Sequence, residues 1–498
     1  MGCPSMTQSQ IDYSDVQGLV RFGYKRMTEA CYVLLRIREV GAARSWLGAA
    51  PVTTAVAVDP PPSTAMQVAF TAAGLKALGV ADAVLSGFSS EFLAGMTEES
   101  RSRRLGDVGT SAPSQWAWGN SDRVPHLVVM FFAKPGLLDT FIATSTGKAW
   151  NDGFDVLRSL DTSDLGGLEP FGFTDGISQP QLDWAQERDV AGGQLYYTNM
   201  VALGEFLLGY RNEYNKYTDR PLIDASAKSA GLLPTEDAPG KKDVGRNGTY
   251  LVMRDLRQDV RGFWQFINRQ AHGGKIDQLA ATFVGRTRAG DPLVPIQKEE
   301  IPGIGPQPDQ IRQNQFTFDQ DPTGAGCQFG AHIRRANPRN ADYPGHPTGF
   351  ARLLAMAGFG PRGFRDDLMS SVRFHRILRR GREYGPRLSP SNALSPAPLD
   401  DPDRGLRFVC LNANISRQFE FLQNAWVMNT KFSGLTGEND PLLGNRETTS
   451  GRPGADNFTQ QKDDGLGCHV SGLPQFVTVR GGAYFFLPSL RALRYFTS

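Results

Sequence analysis

The apolar residues of this chain come in short pieces, the longest unbroken one, Leu127 to Ala133, being about seven residues. A bilayer needs roughly twenty in a row, so no membrane partner is expected. Two segments share one pattern: Tyr32-Val33-Leu34-Leu35-Arg36, of strand type, leads into a helical period ending near Trp46, and Tyr250-Leu251-Val252-Met253-Arg254 into one reaching Trp264. In both, Tyr and Trp stand fourteen residues apart. Each half adds a second buried-strand candidate, His126 to Ala133 and Arg407 to Asn414, the latter followed by a helical pattern over Gln418 to Met428. The pattern predicts a duplicated α+β unit, although any α+β chain repeats strand then helix. A chain of 498 residues can bury two such cores. Lys228 to Gly248, Ile301 to Gly349 and Gly381 to Gly405 read as loops, and the joint falls in the first of them, dividing the chain into 1–235 and 236–498.

Charge excludes one class of partner. Lys plus Arg total 53 against 51 for Asp plus Glu, with no basic block long enough to grip nucleic acid. The start, Met1-Gly2-Cys3-Pro4-Ser5-Met6, lacks the features of a secretion signal, and the myristoylation motif wants Ser or Thr where Met6 stands. Cys3, Cys31, Cys327, Cys410 and Cys468 are scattered, without a C-x-x-C pair, which suggests neither a disulfide framework nor a zinc site. A reducing, cytoplasmic location is the expectation.

Common catalytic motifs are missing: no P-loop, no G-x-S-x-G elbow, no H-E-x-x-H. Gly324, Gly326 and Gly330 are spaced one residue too long for a dinucleotide fingerprint. Two polar residues in unusual settings remain. Asp175 lies in Pro170-Phe171-Gly172-Phe173-Thr174-Asp175-Gly176-Ile177-Ser178-Gln179-Pro180, where glycines let backbone approach a ligand and phenylalanines keep water away; it is a turn-former or a catalytic acid. His332 follows small and apolar residues and precedes Arg334, Arg335 and Arg339. It is a core histidine or a metal ligand, and the arginines favour a cofactor that carries both a metal and carboxylates, as haem does.

These segments resemble the dye-decolorizing (DyP-type) haem peroxidases. Gly172-Phe173-Thr174-Asp175-Gly176 is similar to that family's G-x-x-D-G signature, and Gly330-Ala331-His332-Ile333-Arg334 to its proximal-histidine segment. His375-Arg376-Ile377-Leu378-Arg379-Arg380-Gly381 with Tyr384-Gly385-Pro386 resembles the distal-arginine segment, and Gly405-Leu406-Arg407-Phe408 the distal-pocket strand. Asp440-Pro441-Leu442-Leu443-Gly444 resembles the segment carrying the acid behind the proximal ligand. The resemblance runs from Asp15-Val16-Gln17-Gly18 to Arg480-Gly481-Gly482-Ala483-Tyr484-Phe485-Phe486-Leu487-Pro488, with insertions at Arg335 to Asp367 and Leu388 to Arg404 that match the family's longer, elaborated members.

The resemblance implies two ferredoxin-like domains with antiparallel sheets and peripheral helices, and haem b (iron protoporphyrin IX) held mainly by the C-terminal half. His332 would ligate the iron, with Asp440 accepting its other N–H. Asp175 would move the proton of hydrogen peroxide, and Arg379, chosen from Arg376, Arg379 and Arg380 by the R-x-x-R-R-G register, would stabilise the charge that develops. Leu406 and Phe408 would shape a dry distal pocket. Arg339, with Arg334 and Arg335 behind it, would meet the propionates. Trp426 and Tyr384 are candidate electron relays to aromatic reducing substrates too bulky to enter, and core packing is their alternative role. An acidic optimum for dye oxidation is implied, as is a homodimer or larger assembly. Rival readings are a non-catalytic haem carrier or sensor, and a haem-free ferredoxin-like binding module.

Overall fold

The computed structural model describes residues 10–187, 199–271, 274–296, 312–339, 372–447, 455–463 and 467–498. Cys3, residues 301–311 of the second long loop and residues 340–367 of the expected insertion lie outside the described residues.

Nine strands form one sheet: β1 (Glu29–Ile37), β2 (Thr64–Phe70), β3 (Leu127–Ala133), β4 (Phe154–Asp161), β5 (Thr249–Gln258), β6 (Leu378–Arg379), β7 (Arg382–Tyr384), β8 (Gly405–Asn412) and β9 (Val477–Leu487). All four strand candidates read from the sequence lie in it. The spatial order is β6-β8-β5-β9-β2-β3-β1-β4, with β7 also on β8, and every pairing is antiparallel. Counted within its own half, each set follows one order. The first half runs β2-β3-β1-β4; the second runs β6/β7, then β8, β5 and β9, which is again second, third, first, fourth.

Helices fall where that pattern requires. Helix α1 (Val40–Ala49) follows β1 and α2 (Leu138–Ser145) follows β3; α3 (Val260–Gln270) follows β5, and helical turns at Ser416–Glu420 and Leu422–Val427 follow β8. This is the strand-helix-strand-strand-helix-strand arrangement of a ferredoxin-like α+β unit, met twice. Carboxylates set two of the helix starts: Glu39 accepts the N–H of Gly41 and Ala42, and Asp259 that of Gly262. The halves join edge to edge through Phe70 and Phe486. Helix α5 (Leu490–Thr497) then carries the chain back against α1.

The Tyr–Trp spacing does not mark equivalent positions. Tyr32 points into the layer of Leu34 and Phe132, whereas Trp46 packs with Trp150 and Phe154 on the opposite face. Tyr250 and Trp264 share one layer. Repetition lies in strand order, which side-chain identity need not follow. Among the described residues no helix is long and apolar enough to cross a membrane. Cys31, Cys327, Cys410 and Cys468 are unpaired thiols.

The second half's sheet face is the roof of the site, and its strands approach closely at Gly405. A Cβ there would stand 1.9 Å from the carbonyl oxygen of Leu256 on β5. Alanine normally stabilises a strand over glycine by about 0.5–1 kcal/mol. Here the obstacle is backbone, so Gly405→Ala is expected to destabilise the protein by about 1–3 kcal/mol in denaturant unfolding; an unchanged or raised midpoint would contradict the close approach.

Candidate active site

A cavity of about 260 Å³ opens between this sheet face and the helical layer beneath it. Period-two alternation decides its roof. Leu406 and Phe408 of β8 line it, and Arg254, Leu256 and Gln258 of β5 line it beside them. Their neighbours in sequence point to the other side of the sheet.

Asp175 enters from the loop after β4. Gly172 (φ +95°) and Gly176 (φ +77°) take left-handed backbone on either side of it, and its N–H donates to the Gly167 carbonyl. Glu169 holds the same turn, accepting the N–H of Phe171 and Phe173 and the Nε2 of Gln258. Arg379 reaches Asp175 from β6, its Nη1 donating to Oδ1 at 3.0 Å, while its backbone N–H donates to Gln179 Oε1. About a third of each side chain remains open, and that surface faces the cavity. Burial would raise the Asp175 carboxyl, but the Arg379 charge, with the Gly176 N–H and Lys25, holds it below the usual carboxylate value.

Opposite this pair stands His332, the first residue of helix α4 (His332–Ala336). Its Nδ1 lies 2.9 Å from Oδ2 of Asp440, a side chain with no exposed surface. Asp440 Oδ1 accepts the N–H of Leu442 and Leu443, both at 2.9 Å. Burial works against a charged imidazole, yet the Asp440 carboxylate outweighs it and raises the His332 value. With Nδ1 engaged, Nε2 is the nitrogen left for the cavity.

The structure separates the arginines of the sequence reading. Arg339 lines the cavity, its guanidinium 3.7 Å from the Phe316 ring centroid and bonded to Asn314 and Phe316. Arg334 and Arg335 do not line it: Arg334 pairs with Asp321, and Arg335 donates to the carbonyls of Gly330, Trp426, Asn429 and Glu438. The expected propionate role of these two is withdrawn, because their guanidiniums are committed to Asp321 and to backbone carbonyls outside the cavity lining. Arg380 is likewise tied to the carbonyls of Leu19 and Val20, whereas Arg376 lines the cavity and bonds Asn199. Tyr384 lies under the Arg407 guanidinium at 3.6 Å, and Trp426 meets His375 edge-on at 5.3 Å; of these rings only His375 touches the cavity.

Sequence reasoning passed over four charged residues of the cavity wall: Asp107, Glu169, Arg254 and Arg286. Arg286 shares the Phe316 ring with Arg339, and burial, with the Arg339 charge beside it, lowers its guanidinium to about 10. An arginine inside an otherwise apolar strand run was the available signal for Arg254.

A cofactor can be tested against this donor set. Among the described residues no three His, Cys, Asp or Glu side chains gather to hold a bare ion. Two imidazoles touch the cavity, His332 and His375, and neither is joined by enough ligating side chains to hold a bare ion. A metal on His332 must therefore bring its remaining ligands, and Arg286 and Arg339, crowded on the Phe316 ring, call for an anion. A porphyrin with its propionates suits both demands.

No family model matches the chain. The dye-decolorizing peroxidase msp1 of Mycetinis scorodonius is 29% identical over 517 residues, covering 97% of this chain and 87% of the relative. The multifunctional dye peroxidase DyP2 of an Amycolatopsis species is 31% identical over 349 residues, 66% of this chain and 61% of the relative. A fungal DyP-type peroxidase structure from Auricularia auricula-judae superposes with TM-score 0.72 at 24% identity, covering 99% of this chain and 100% of that one. An ancestral D-type dye-decolorizing peroxidase gives 0.70 at 25% identity, covering 98% and 99%. The chain belongs to the DyP-type peroxidases. It is accordingly an oxidoreductase.

For a DyP-type peroxidase, Glu169 so near the Asp175 loop has a thermodynamic consequence. Burial pushes its carboxyl from 4.5 up to about 7. The fold therefore favours the protonated form, a stabilisation complete below pH 4.5 and lost as pH rises through 7. Unfolding measured from pH 4.5 to 8 is expected to lose on the order of 2 kcal/mol on this account, and Glu169→Gln to flatten that limb; a variant with an unaltered pH profile would contradict the assignment.

Proposed function

We propose that the protein is a haem b peroxidase that reduces hydrogen peroxide and oxidises dyes, phenols or other aromatic donors, with Asp175 as acid–base group and Arg379 as its electrostatic partner. The observation that carries this reading is the Asp175–Arg379 pair facing the His332–Asp440 pair across one cavity. Haem b, when bound, supplies the redox centre and the ligands that His332 does not. A carrier or sensor would need His332 but has no use for a second, distal ion pair.

The chain's own residues divide the work. Asp440 accepts from His332 Nδ1, fixing the tautomer and ring orientation and making Nε2 a stronger ligand. Asp175, ionised because Arg379 outweighs its burial, takes a proton from hydrogen peroxide and returns it to the departing oxygen, which leaves as water. Arg379 keeps the carboxylate in position and offsets the negative charge that grows as the O–O bond breaks. Leu406 and Phe408 exclude bulk water from that step. Arg339, joined by Arg286, would receive the propionates. His375 puts Trp426 one ring from the cavity, which favours Trp426 over Tyr384 as a relay to donors that cannot enter. The division at residue 235 is part of the same reading, supported by the repeated strand order.

Absorption spectra before and after one equivalent of peroxide test it. A Soret band is expected in the purified protein and absent from His332→Ala. Asp175→Asn is expected to keep the band and slow the peroxide reaction by about 10²–10⁴-fold, and Arg379→Leu by about 10²–10³-fold. A variant as fast as the parent would remove that residue from the mechanism.

The pH dependence carries a sign. The Asp175 carboxylate lies below its ordinary 3.8, so the peroxide step is expected to hold its rate down through pH 5 and fail only in stronger acid. Removing the Arg379 charge leaves burial less opposed, so in Arg379→Leu the acid limb is expected to move to higher pH. Movement to lower pH would show that another group titrates.

A further inference from the structure

A second carboxylate–guanidinium pair lies in the same cavity and has no part in the peroxide step. Asp107 is 2% and Arg254 3% exposed, and Arg254 Nη2 donates to Asp107 Oδ1. Three polar atoms of the pair have no hydrogen-bond partner among the described residues: Arg254 Nε, Arg254 Nη1 and Asp107 Oδ2. Buried polar atoms are paired in about nine cases of ten. Two unmet donors beside one unmet acceptor suit a group that offers an accepting oxygen and one proton, which is a hydroxyl.

The sheet sets where this happens. Arg254 on β5 faces Phe408 across the β5–β8 pairing, and Arg379 on β6 faces Cys410 across β6–β8. Strand spacing and the two-residue offset put the two arginine backbones roughly 12 Å apart, with Phe408 and Cys410 of β8 between them. The walls around the second pair are mostly apolar, Phe419, whose ring centroid lies 5.9 Å from the Arg254 guanidinium, with Leu422, Met428 and Val479, and carry a few polar side chains, Ser111, Gln423 and Asn445. Gly106, at φ +76°, brings the chain against Met428, where a Cβ would stand 2.7 Å from the sulfur. A mostly apolar wall with a few polar groups and one unmet donor–acceptor pair has the character of a small-molecule subsite.

We propose that the Asp107–Arg254 end of the cavity binds the hydroxyl of a small phenol, the electron donor of the reaction proposed above, on which this inference rests. The phenol oxygen accepts from Arg254 Nε or Nη1, and its hydroxyl donates to Asp107 Oδ2. On oxidation each phenol loses one electron and that proton, the proton passing to Asp107 Oδ2 and onward to solvent. Two phenols and one hydrogen peroxide thereby balance to two phenoxyl radicals and two waters. Burial holds the Asp107 carboxyl above its ordinary value even beside Arg254, which makes it a better proton acceptor. A benzoate offers acceptors only and meets Asp107 Oδ2 with like charge, so the subsite prefers phenol to benzoate.

The test is calorimetric titration of the haem-loaded, peroxide-free protein with phenol and with benzoate. Phenol is expected to bind, with benzoate at least tenfold weaker. The double variant Asp107→Leu/Arg254→Met removes both charges together, so that neither is left buried alone, and is expected to weaken phenol at least tenfold. Asp107→Asn should narrow the preference for phenol over benzoate. In turnover the double variant should raise KM for phenol while the spectral response to peroxide keeps its rate. Equal binding of both ligands, no phenol binding, or unchanged affinity in the double variant would each overturn the subsite. A protein without a Soret band, or Asp175→Asn at full speed, would instead overturn the reading beneath it.

Discussion

Asp440 has no exposed surface, and its two oxygens are committed in opposite directions. Oδ1 takes two backbone N–H groups of its own turn, so the carboxylate cannot rotate; Oδ2 takes His332 Nδ1. A charge buried so completely is tolerable only when fully bonded, and here three hydrogen bonds are supplied, one of them by His332. The imidazole inherits that rigidity. His332 opens a helix of five residues, too short to hold a ring by itself, so the orientation of Nε2 depends on Asp440, 108 residues further along the chain.

Three carboxylates share the cavity wall, and their surroundings push them apart. Asp175 is lowered because Arg379, the Gly176 N–H and Lys25 together outweigh burial. Glu169 is raised to about 7 because burial outweighs its hydrogen bonds and Asp175 adds repulsion. Asp107 is raised although it touches an arginine, since desolvation exceeds what one guanidinium returns. The same side-chain chemistry thus supplies an ionised base at Asp175 and a readily protonated acid at Glu169. The sheet register makes the difference by deciding which carboxylate meets how many cations.

Much of this was legible in the sequence wherever a residue's role shows in its immediate neighbours. The runs at Tyr32, His126, Tyr250 and Arg407 are strands because apolar stretches of that length have few other uses. Glycines flanking Asp175 announced the left-handed turn that presents it, and the R-x-x-R-R-G register picked out the arginine that does meet Asp175. What stayed hidden depends on facing. In a strand buried on both sides alternation leaves no mark, so Arg254 could not be aimed from the sequence at the cavity or away from it. Arg334 and Arg335 misled for the opposite reason: nearness to His332 in the chain does not show that one guanidinium is taken by Asp321 and the other by four backbone carbonyls. Glu169 and Asp107 sit in loops, where only the folded partner reveals a burial.

The arrangement of the roof also bears on how one cavity can serve two kinds of molecule. Arg379 and Arg254 stand on strands either side of β8, and the ring of Phe408 lies between them. A sheet cannot bring two residues on next-nearest strands closer than about two strand spacings. The polar stations are therefore held apart by backbone hydrogen bonds, which are far stiffer than the side chains they carry. Electrons can cross such a gap readily, whereas protons need a continuous line of donors and acceptors. Phe408 offers none, so the proton accounting of the peroxide end and of the donor end is kept separate. That separation suits Asp175, which must regain the ionised state after each cycle and would be compromised by a second proton released beside it.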